Sequence, residues 1–199
     1  VPSSNRGKRF PAEYLTTDEI LSLMDACGPE SDPIAMRHRA LICLLWRSGL
    51  RLAEALALRP QDIDQGTLSV RVLHGKGDKA RTTATDERAL GYINAWLETR
   101  LMKWNVPRGS PIICTRKGDS LRQSYVRRLF PQLAAKAGVQ RRVHAHVFRH
   151  TFAVELSRDN VPVRDVQMLL GHSSLATTSV YLASLSPEES LKHVRGRKW

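Results

Sequence analysis

Disulfides, close-paired zinc ligands, membrane spans and nucleotide-binding loops each leave a mark on a sequence, and this chain of 199 residues has little of any of them. Its three cysteines, Cys27, Cys43 and Cys114, are odd in number and widely spaced, which fits neither a disulfide framework nor a paired zinc motif. They read as reduced thiols, with Cys43, inside an apolar run, in the core. That run, Ala40 to Trp46, is the longest, and it falls far short of the roughly 18 residues a spanning helix needs. No apolar signal segment opens the chain. A soluble, cytoplasmic protein with no membrane partner is therefore expected. The Gly75-Lys76-Gly77 turn lacks the flanking glycines of a dinucleotide fingerprint and the spacing of a phosphate-cradling loop. Internal repeats and low-complexity segments are missing too.

Acidic residues are also scarce. Asp and Glu number 19 against 31 Lys and Arg, for a formal net charge of +12. An excess of that size points to a polyanionic partner, nucleic acid before membrane surface. The 42% hydrophobic content is that of an ordinary globular protein, and the length suits one sizeable core.

Taken in order, residues 1–15 combine Pro2, Gly7 and Pro11 with the basic cluster Arg6, Lys8 and Arg9, the composition of an extended basic linker. Thr16 and Glu19 have capping-box spacing, so a helix starts at Thr16 or Thr17 and runs to Gly28. The block after Pro33, AMRHRALICLLWRSG, is too continuously apolar at its centre for a surface helix and should be buried, with Gly49 ending it. LRLAEALALRPQDID resumes as a short helix that places Arg51 and Glu54 three apart on one face.

From Gly66 to Thr85 the period changes. Leu68, Val70 and Val72 alternate with polar residues, and GKGDKA forms a turn before RTTAT, which predicts a β-hairpin or a small three-stranded sheet with a lysine-rich tip. Asp86 caps the following helix, whose Leu90, Ile93, Leu97 and Leu101 recur at helical spacing with Trp96 until Pro107–Pro111 breaks it. PIICT reads as a short extended piece. QSYVRRLFPQLAAKAG reads as a helix that Pro131 kinks or restarts and Gly138 closes. Gly171 suits a helix C-terminus, Ser173 or Ser174 an N-cap, and Pro187 the first turn of a last polar helix. The fold class is thus mainly α with a small antiparallel sheet, an α+β domain.

His146 and His150 are spaced i, i+4, as two helical zinc ligands would be. Val147 stands where a zinc protease carries its glutamate, however, and Arg149 would lie beside the cation, so no metal is expected. Read singly, each polar candidate has an ordinary explanation. Arg51 and Glu54 make a helical ion pair, GKG a hairpin turn, His146 a helix-terminal hydrogen bond, and Tyr181 a half-buried aromatic.

Read together, SGLRLAEALALRPQDID, HGKGDKAR, HVFRHTFA and LLGHSSLATTSVY resemble the catalytic domain of the tyrosine recombinase, or phage integrase, family, in that family's order and at its usual distances. The resemblance spans Thr16 to Leu185. It implies that Tyr181 is a nucleophile toward a DNA phosphodiester and that Arg51 and Arg149 clamp the phosphate. His172 is implied as a further phosphate ligand, Lys76 as the acid for the leaving 5′ oxygen, His146 as base or proton relay, and Glu54 as a supporting acid. Cleavage and rejoining through a 3′-phosphotyrosyl ester keep the energy of the broken bond, so neither ATP nor a cofactor or metal is called for. Arg6, Lys8, Arg9, Lys79 and Arg81 are expected on the DNA backbone. For Arg116, Lys117, Arg127 and Arg128 the sequence leaves DNA contact and an ordinary charged face equally open.

The same resemblance implies a cytoplasmic, nucleoid-associated enzyme that acts on double-stranded DNA as a homo-tetramer over two sites. Residues 1–15 would then lead from a missing N-terminal DNA-binding domain, 16–185 form the catalytic domain, and 186–199 form a tail that packs on its own domain or on a neighbouring protomer. Two departures stand out: Val147 and Phe148 replace the family's frequent Asp and Leu, and RTTAT lacks the apolar-Pro pair that usually follows the hairpin arginine. Both concern packing around the site. The alternatives are a topoisomerase of the same chemistry and a non-catalytic DNA-binding module that kept the fold.

Overall fold

The computed structural model describes residues 14–73 and 80–171. It contains seven α-helices among those residues: α1 (Thr17–Asp25), α2 (Pro33–Trp46), α3 (Leu52–Ala57), α4 (Glu87–Trp104), α5 (Gln123–Ala137), α6 (Ala145–Arg158) and α7 (Val163–Leu170). Three short strands, β1 (Ile63–Asp64), β2 (Ser69–Val72) and β3 (Arg81–Ala84), form an antiparallel meander in the order β1-β2-β3. In its register Ile63 faces Val70 and Val72 faces Arg81. The mainly helical α+β class and the three-stranded form of the sheet follow the sequence pattern. No helix among the described residues is long and apolar enough to cross a membrane.

Helix α2 is the axis of the core. Eleven of its fourteen residues are buried, from Ala35 through Trp46, and it packs against both α4 and α6. Asp32 starts it by accepting the Ile34 N–H at 2.9 Å, ahead of Pro33 in the first turn, where a missing N–H costs nothing. Arg37 and Arg39 lie on this buried helix because protein acceptors replace water. Arg37 donates to the Cys114 carbonyl at 3.0 Å, and Arg39 donates to the Met24 carbonyl at 3.1 Å, in the last turn of α1. Burial pushes the Cys43 thiol up to about 12, as expected for a small core side chain. Thr16 and Glu19 form the capping box on α1, each side chain accepting the other's backbone N–H.

Several elements differ from the sequence pattern for identifiable reasons. The buried stripe of α4 is Ala89, Ile93, Trp96 and Arg100, while Leu90, Leu97 and Leu101 are only half-buried. The helix turns this way because the Trp96 indole donates to the Ile112 carbonyl at 2.7 Å and Arg100 collects carbonyls of the 108–112 loop, among them Ser110 at 3.4 Å. Leu68 lies outside the strands, in a turn at φ 57°. PIICT contributes only a single bridge, Cys114 to Ser120, rather than a strand.

Helix α5 runs uninterrupted through Pro131. Proline leaves the carbonyl of residue 127 without its helical partner, but Arg127 and Pro131 share the exposed face, and the buried stripe Val126, Leu129, Phe130, Leu133 keeps its period. At the N-terminal edge Leu15 is already core. It is buried and donates its N–H to Thr151 Oγ1 of α6 at 3.0 Å, while the Tyr14 hydroxyl accepts from Arg158 at 2.8 Å. The packed body therefore takes in two residues that the composition alone assigns to the linker.

Gly49 closes the α2 region in the left-handed conformation, φ 60°. A Cβ there would stand 2.3 Å from Phe152 Cδ1 on α6, so glycine is required for both its backbone and its size. Gly49→Ala should cost about 2–4 kcal/mol, from left-handed strain plus overpacking. Urea denaturation of the variant measures it, and a midpoint indistinguishable from the parent's would refute this account.

Candidate active site

A single carboxylate gathers the site. Arg51 is the N-cap of α3 and Glu54 its third residue, so the Glu54 side chain folds back to accept the Arg51 N–H at 2.7 Å. The same carboxylate takes the Arg51 guanidinium at 2.8 Å. Arg81, the first residue of β3, grips it from the other side with a two-pronged bond, Nη1 to Oε1 at 2.8 Å and Nη2 to Oε2 at 2.7 Å. Arg149 on α6 brings Nη1 to within 3.9 Å of Oε2. Residues far apart in the chain thus meet on one buried group.

The guanidiniums share a second set of partners. Arg81 Nε donates to the Leu169 carbonyl at 2.9 Å, Arg149 Nη2 to the Leu170 carbonyl, and Arg51 Nη2 to the Gly171 carbonyl at 3.2 Å. These three successive carbonyls are at the C-terminal end of α7, where unpaired acceptors and the negative end of the helix dipole favour cations. Arg149 Nη1 also donates to the Gly49 carbonyl at 2.6 Å. Gly171 is left-handed at φ 62°, which turns the chain out of α7 immediately before His172.

Burial divides the roles. The side chains of Glu54, Arg149 and Arg81 are 3%, 1% and 9% exposed, whereas that of Arg51 is 28% exposed. Arg51 is thus the guanidinium of the cluster most open to solvent. Burial alone would raise the Glu54 pKa, but hydrogen bonds from Arg81 and from the Arg51 backbone and side chain outweigh it and bring it down to about 2. Glu54 is therefore ionised at neutral pH, and the three guanidiniums exceed it by two positive charges.

His146 lies one turn before Arg149 on α6. Its pKa is lowered by desolvation and then by the positive charge of Arg149, so the imidazole is neutral near pH 7. The ring of His144, the N-cap of α6, stacks nearly parallel to it at 6.4 Å. His150 is buried, unlike His146, and among the described residues no three His, Cys, Asp or Glu side chains form a metal-sized group.

The structure brings together Arg51, Glu54 and Arg149 of the residues expected from sequence, with His146 adjoining. Lys76, His172, Tyr181, Lys79, Arg6, Lys8 and Arg9 lie outside the described residues. Arg81 enters differently from the expected contact with DNA backbone, since its Nε, Nη1 and Nη2 donate to Glu54 and to the end of α7. Its sequence signal was weak, a lone arginine at the start of a strand, and nothing local ties it to Glu54. Arg116, Lys117, Arg127 and Arg128 are all exposed.

The Glu54 cluster makes stability depend on acid. A carboxyl whose folded pKa is depressed contributes stability above its ordinary value of 4.5, and that contribution is lost as pH falls toward 2. Between pH 5 and pH 2.5 the parent should lose about 2 kcal/mol more than Glu54→Gln, which has no carboxylate to protonate. Urea unfolding of both at pH 5 and pH 2.5 measures the difference, and parallel losses would refute the coupling.

Comparison with known proteins agrees with this architecture. The family model described as the phage integrase family matches residues 13–187. A tyrosine recombinase XerC from Alcanivorax borkumensis is 37% identical over 181 residues, covering 91% of this chain and 58% of the relative. Among solved structures, the XerA recombinase superimposes with a TM-score of 0.80 at 28% identity, over 98% of this chain and 69% of that one. The XerH site-specific recombinase bound to its palindromic difH substrate gives 0.74 at 26% identity, over 94% and 53%. The chain spans somewhat more than half the length of the XerC relative. With the family model running from just before the first helix to beyond Tyr181, and with Arg51, Glu54 and Arg149 meeting at one site, the chain belongs to the phage integrase family.

Proposed function

We propose that this chain is the catalytic portion of a site-specific DNA recombinase that cleaves and rejoins strands through a 3′-phosphotyrosyl intermediate, working as a homo-tetramer on two sites of double-stranded DNA. The observation that carries this reading is the meeting of Arg51 and Arg149 on Glu54, at 2.8 and 3.9 Å, beside the end of α7 that leads into His172. The XerH site-specific recombinase, solved as a post-cleavage complex on its palindromic difH substrate, supports the same kind of partner.

The chemistry follows from charge. A phosphodiester carries one negative charge and gains more as a nucleophile adds, so fixed guanidiniums stabilise the transition state more than the ground state. The greater exposure of Arg51 supports assigning it the direct contact with the phosphate, with Arg149 and His172 assigned to complete the clamp. The Tyr181 hydroxyl attacks phosphorus. Its proton passes to neutral His146, the phosphorus–O5′ bond breaks, and Lys76 protonates the departing oxygen. Free tyrosine has a pKa of about 10, so forming phenolate at neutral pH costs roughly 4 kcal/mol, which a neutral base and surrounding cations reduce. In the reverse step the 5′ hydroxyl of a partner strand attacks the phosphotyrosine. Lys79 and the basic residues Arg6, Lys8 and Arg9 are assigned to the DNA backbone, and the site of action is the cytoplasmic nucleoid.

A nicked suicide substrate tests this directly. The chain should form a denaturant-resistant adduct with DNA that is lost in Tyr181→Phe, and Arg51→Ala should slow adduct formation on the order of 10²–10³-fold. Absence of any adduct from the parent, under conditions where DNA is bound, would overturn the proposal. Affinity should fall steeply with salt as counterions are released. Because the His146 pKa is lowered, the cleavage rate should hold as pH drops to about 6.5, the ordinary histidine value, and decline only below it. A rate already halved above that pH would remove His146 as the base.

A further inference from the structure

Arg81 has no part in the chemistry described above, yet it makes the closest engagement with Glu54. Both of its terminal nitrogens lie on the two carboxylate oxygens, at 2.8 and 2.7 Å, and its Nε is on the Leu169 carbonyl at 2.9 Å. Its side chain is 9% exposed. A group so enclosed and so fully paired is poorly disposed to hold a DNA phosphate. Two further facts restrict it. β3, which it opens, packs against α7, and a Cβ on Gly171 would come within 2.7 Å of Arg81 Cδ. The absence of a side chain at Gly171 therefore makes room for the Arg81 stem.

We propose that Arg81 is a positioning residue for the cleavage reaction: it neutralises Glu54, leaving the charge of Arg51 available to the phosphate, and it fixes the end of α7 that leads into His172. This rests on the recombinase reading. Glu54 accepts from Arg51 at both the backbone and the side chain, which orients the guanidinium. A carboxylate paired with Arg51 alone would also cancel the charge that makes Arg51 useful. A second guanidinium, forked onto the same oxygens from the opposite side, keeps the orientation and cancels the carboxylate instead. The third contact, to Leu169, places the same side chain on the carbonyl preceding the acceptors of Arg149 and Arg51. One residue thus joins β3, the start of α3 and the end of α7.

Single-turnover cleavage of the nicked substrate at saturating DNA tests this, alongside affinity measured across a salt series and a thermal melt of each variant. Arg81→Ala should slow adduct formation about 100-fold, with the salt slope of binding unchanged. Adding Glu54→Gln to Arg81→Ala should recover at least about 10-fold of that rate, because the unneutralised carboxylate is removed. Gly171→Ala should lower the rate in the same direction by displacing Arg81. Arg81→Lys, which keeps the charge without the fork, should fall between parent and alanine variant and guards against simple misfolding. If Arg81→Ala instead cleaves at the parental rate when saturated while its salt slope falls by about one, Arg81 is a phosphate contact and the inference is wrong. A double variant no faster than Arg81→Ala, with both folded by melting, would also overturn it. A parent chain that forms no adduct would bring down the recombinase reading and this inference with it, whereas a parent that cleaves with an indifferent Arg81→Ala brings down this inference alone.

Discussion

A buried carboxylate is a demanding object, and Glu54 sets the terms for everything around it. Removed from water, its charge is tolerable only when strong donors replace the lost solvation, and here they come from Arg51 and Arg81 with Arg149 close by. Each of those guanidiniums is itself a charge withdrawn wholly or partly from water. Their remaining donors must find oxygens too, and they find backbone carbonyls at Gly49 and at Leu169 through Gly171. The site is therefore a chain of mutual requirements in which each charge is stabilised by groups brought from another element. Removing one partner leaves the others buried and uncompensated, a loss of about 3–5 kcal/mol for a broken buried pair.

The fold supplies those oxygens by ending helices at the right places. Gly49 turns the chain after α2 with a left-handed backbone and no side chain, so that its carbonyl meets Arg149 while Phe152 of α6 fills the space beside it. Gly171 does the same after α7, beside the stem of Arg81. Helix α2, buried along most of its length, holds α4 and α6 against itself, and α7 packs on α6 and β3. The sheet is small, but Thr83 on β3 donates to the Ser48 carbonyl at 3.1 Å, which ties the strand carrying Arg81 to the turn carrying Gly49. Packing distant from the chemistry thus fixes the spacing of the charges.

Much of this is legible in the sequence, because it depends on local rules. The Thr16–Glu19 capping box, the Asp86 cap, the Gly138 and Gly171 helix ends and the buried run through α2 are all written in neighbouring residues. The same holds for Arg51 with Glu54, three apart at a helix start, and for His146 with Arg149, three apart within α6. What the sequence could not disclose depends on long-range partners. Nothing in the neighbouring residues shows how Arg37 and Arg100 are tolerated in the core; Arg37 donates to the distant Cys114 carbonyl and Arg100 to carbonyls of the loop that follows its helix. Pro131 reads as a break but lies on a face where solvent is at hand. Arg81 reads as one more basic residue near a lysine-rich turn, and only the closure of β3 onto α3 and α7 reveals its partner.

Arg51 and Arg149, the two arginines proposed to clamp the phosphate, are not equivalent. Arg51 is partly open, and one of its donors rests on a neutral carbonyl at 3.2 Å, longer than its bond to Glu54. A phosphate oxygen is charged and accepts more strongly than a carbonyl, so exchanging that bond for one to phosphate is favourable and needs no movement of the core. Arg149 is almost fully enclosed, with short bonds to Gly49 and Leu170 that anchor two helix ends. Drawing it outward would disturb both, so its contribution is greatest where it stands, as a fixed positive charge in a low-dielectric wall. A substitution that keeps the charge but not the planar fork should therefore harm Arg149 through the fold first and Arg51 through the phosphate first. On the recombinase reading proposed above, the Arg149 charge that would face the phosphate also adds to the desolvation that lowers the His146 pKa.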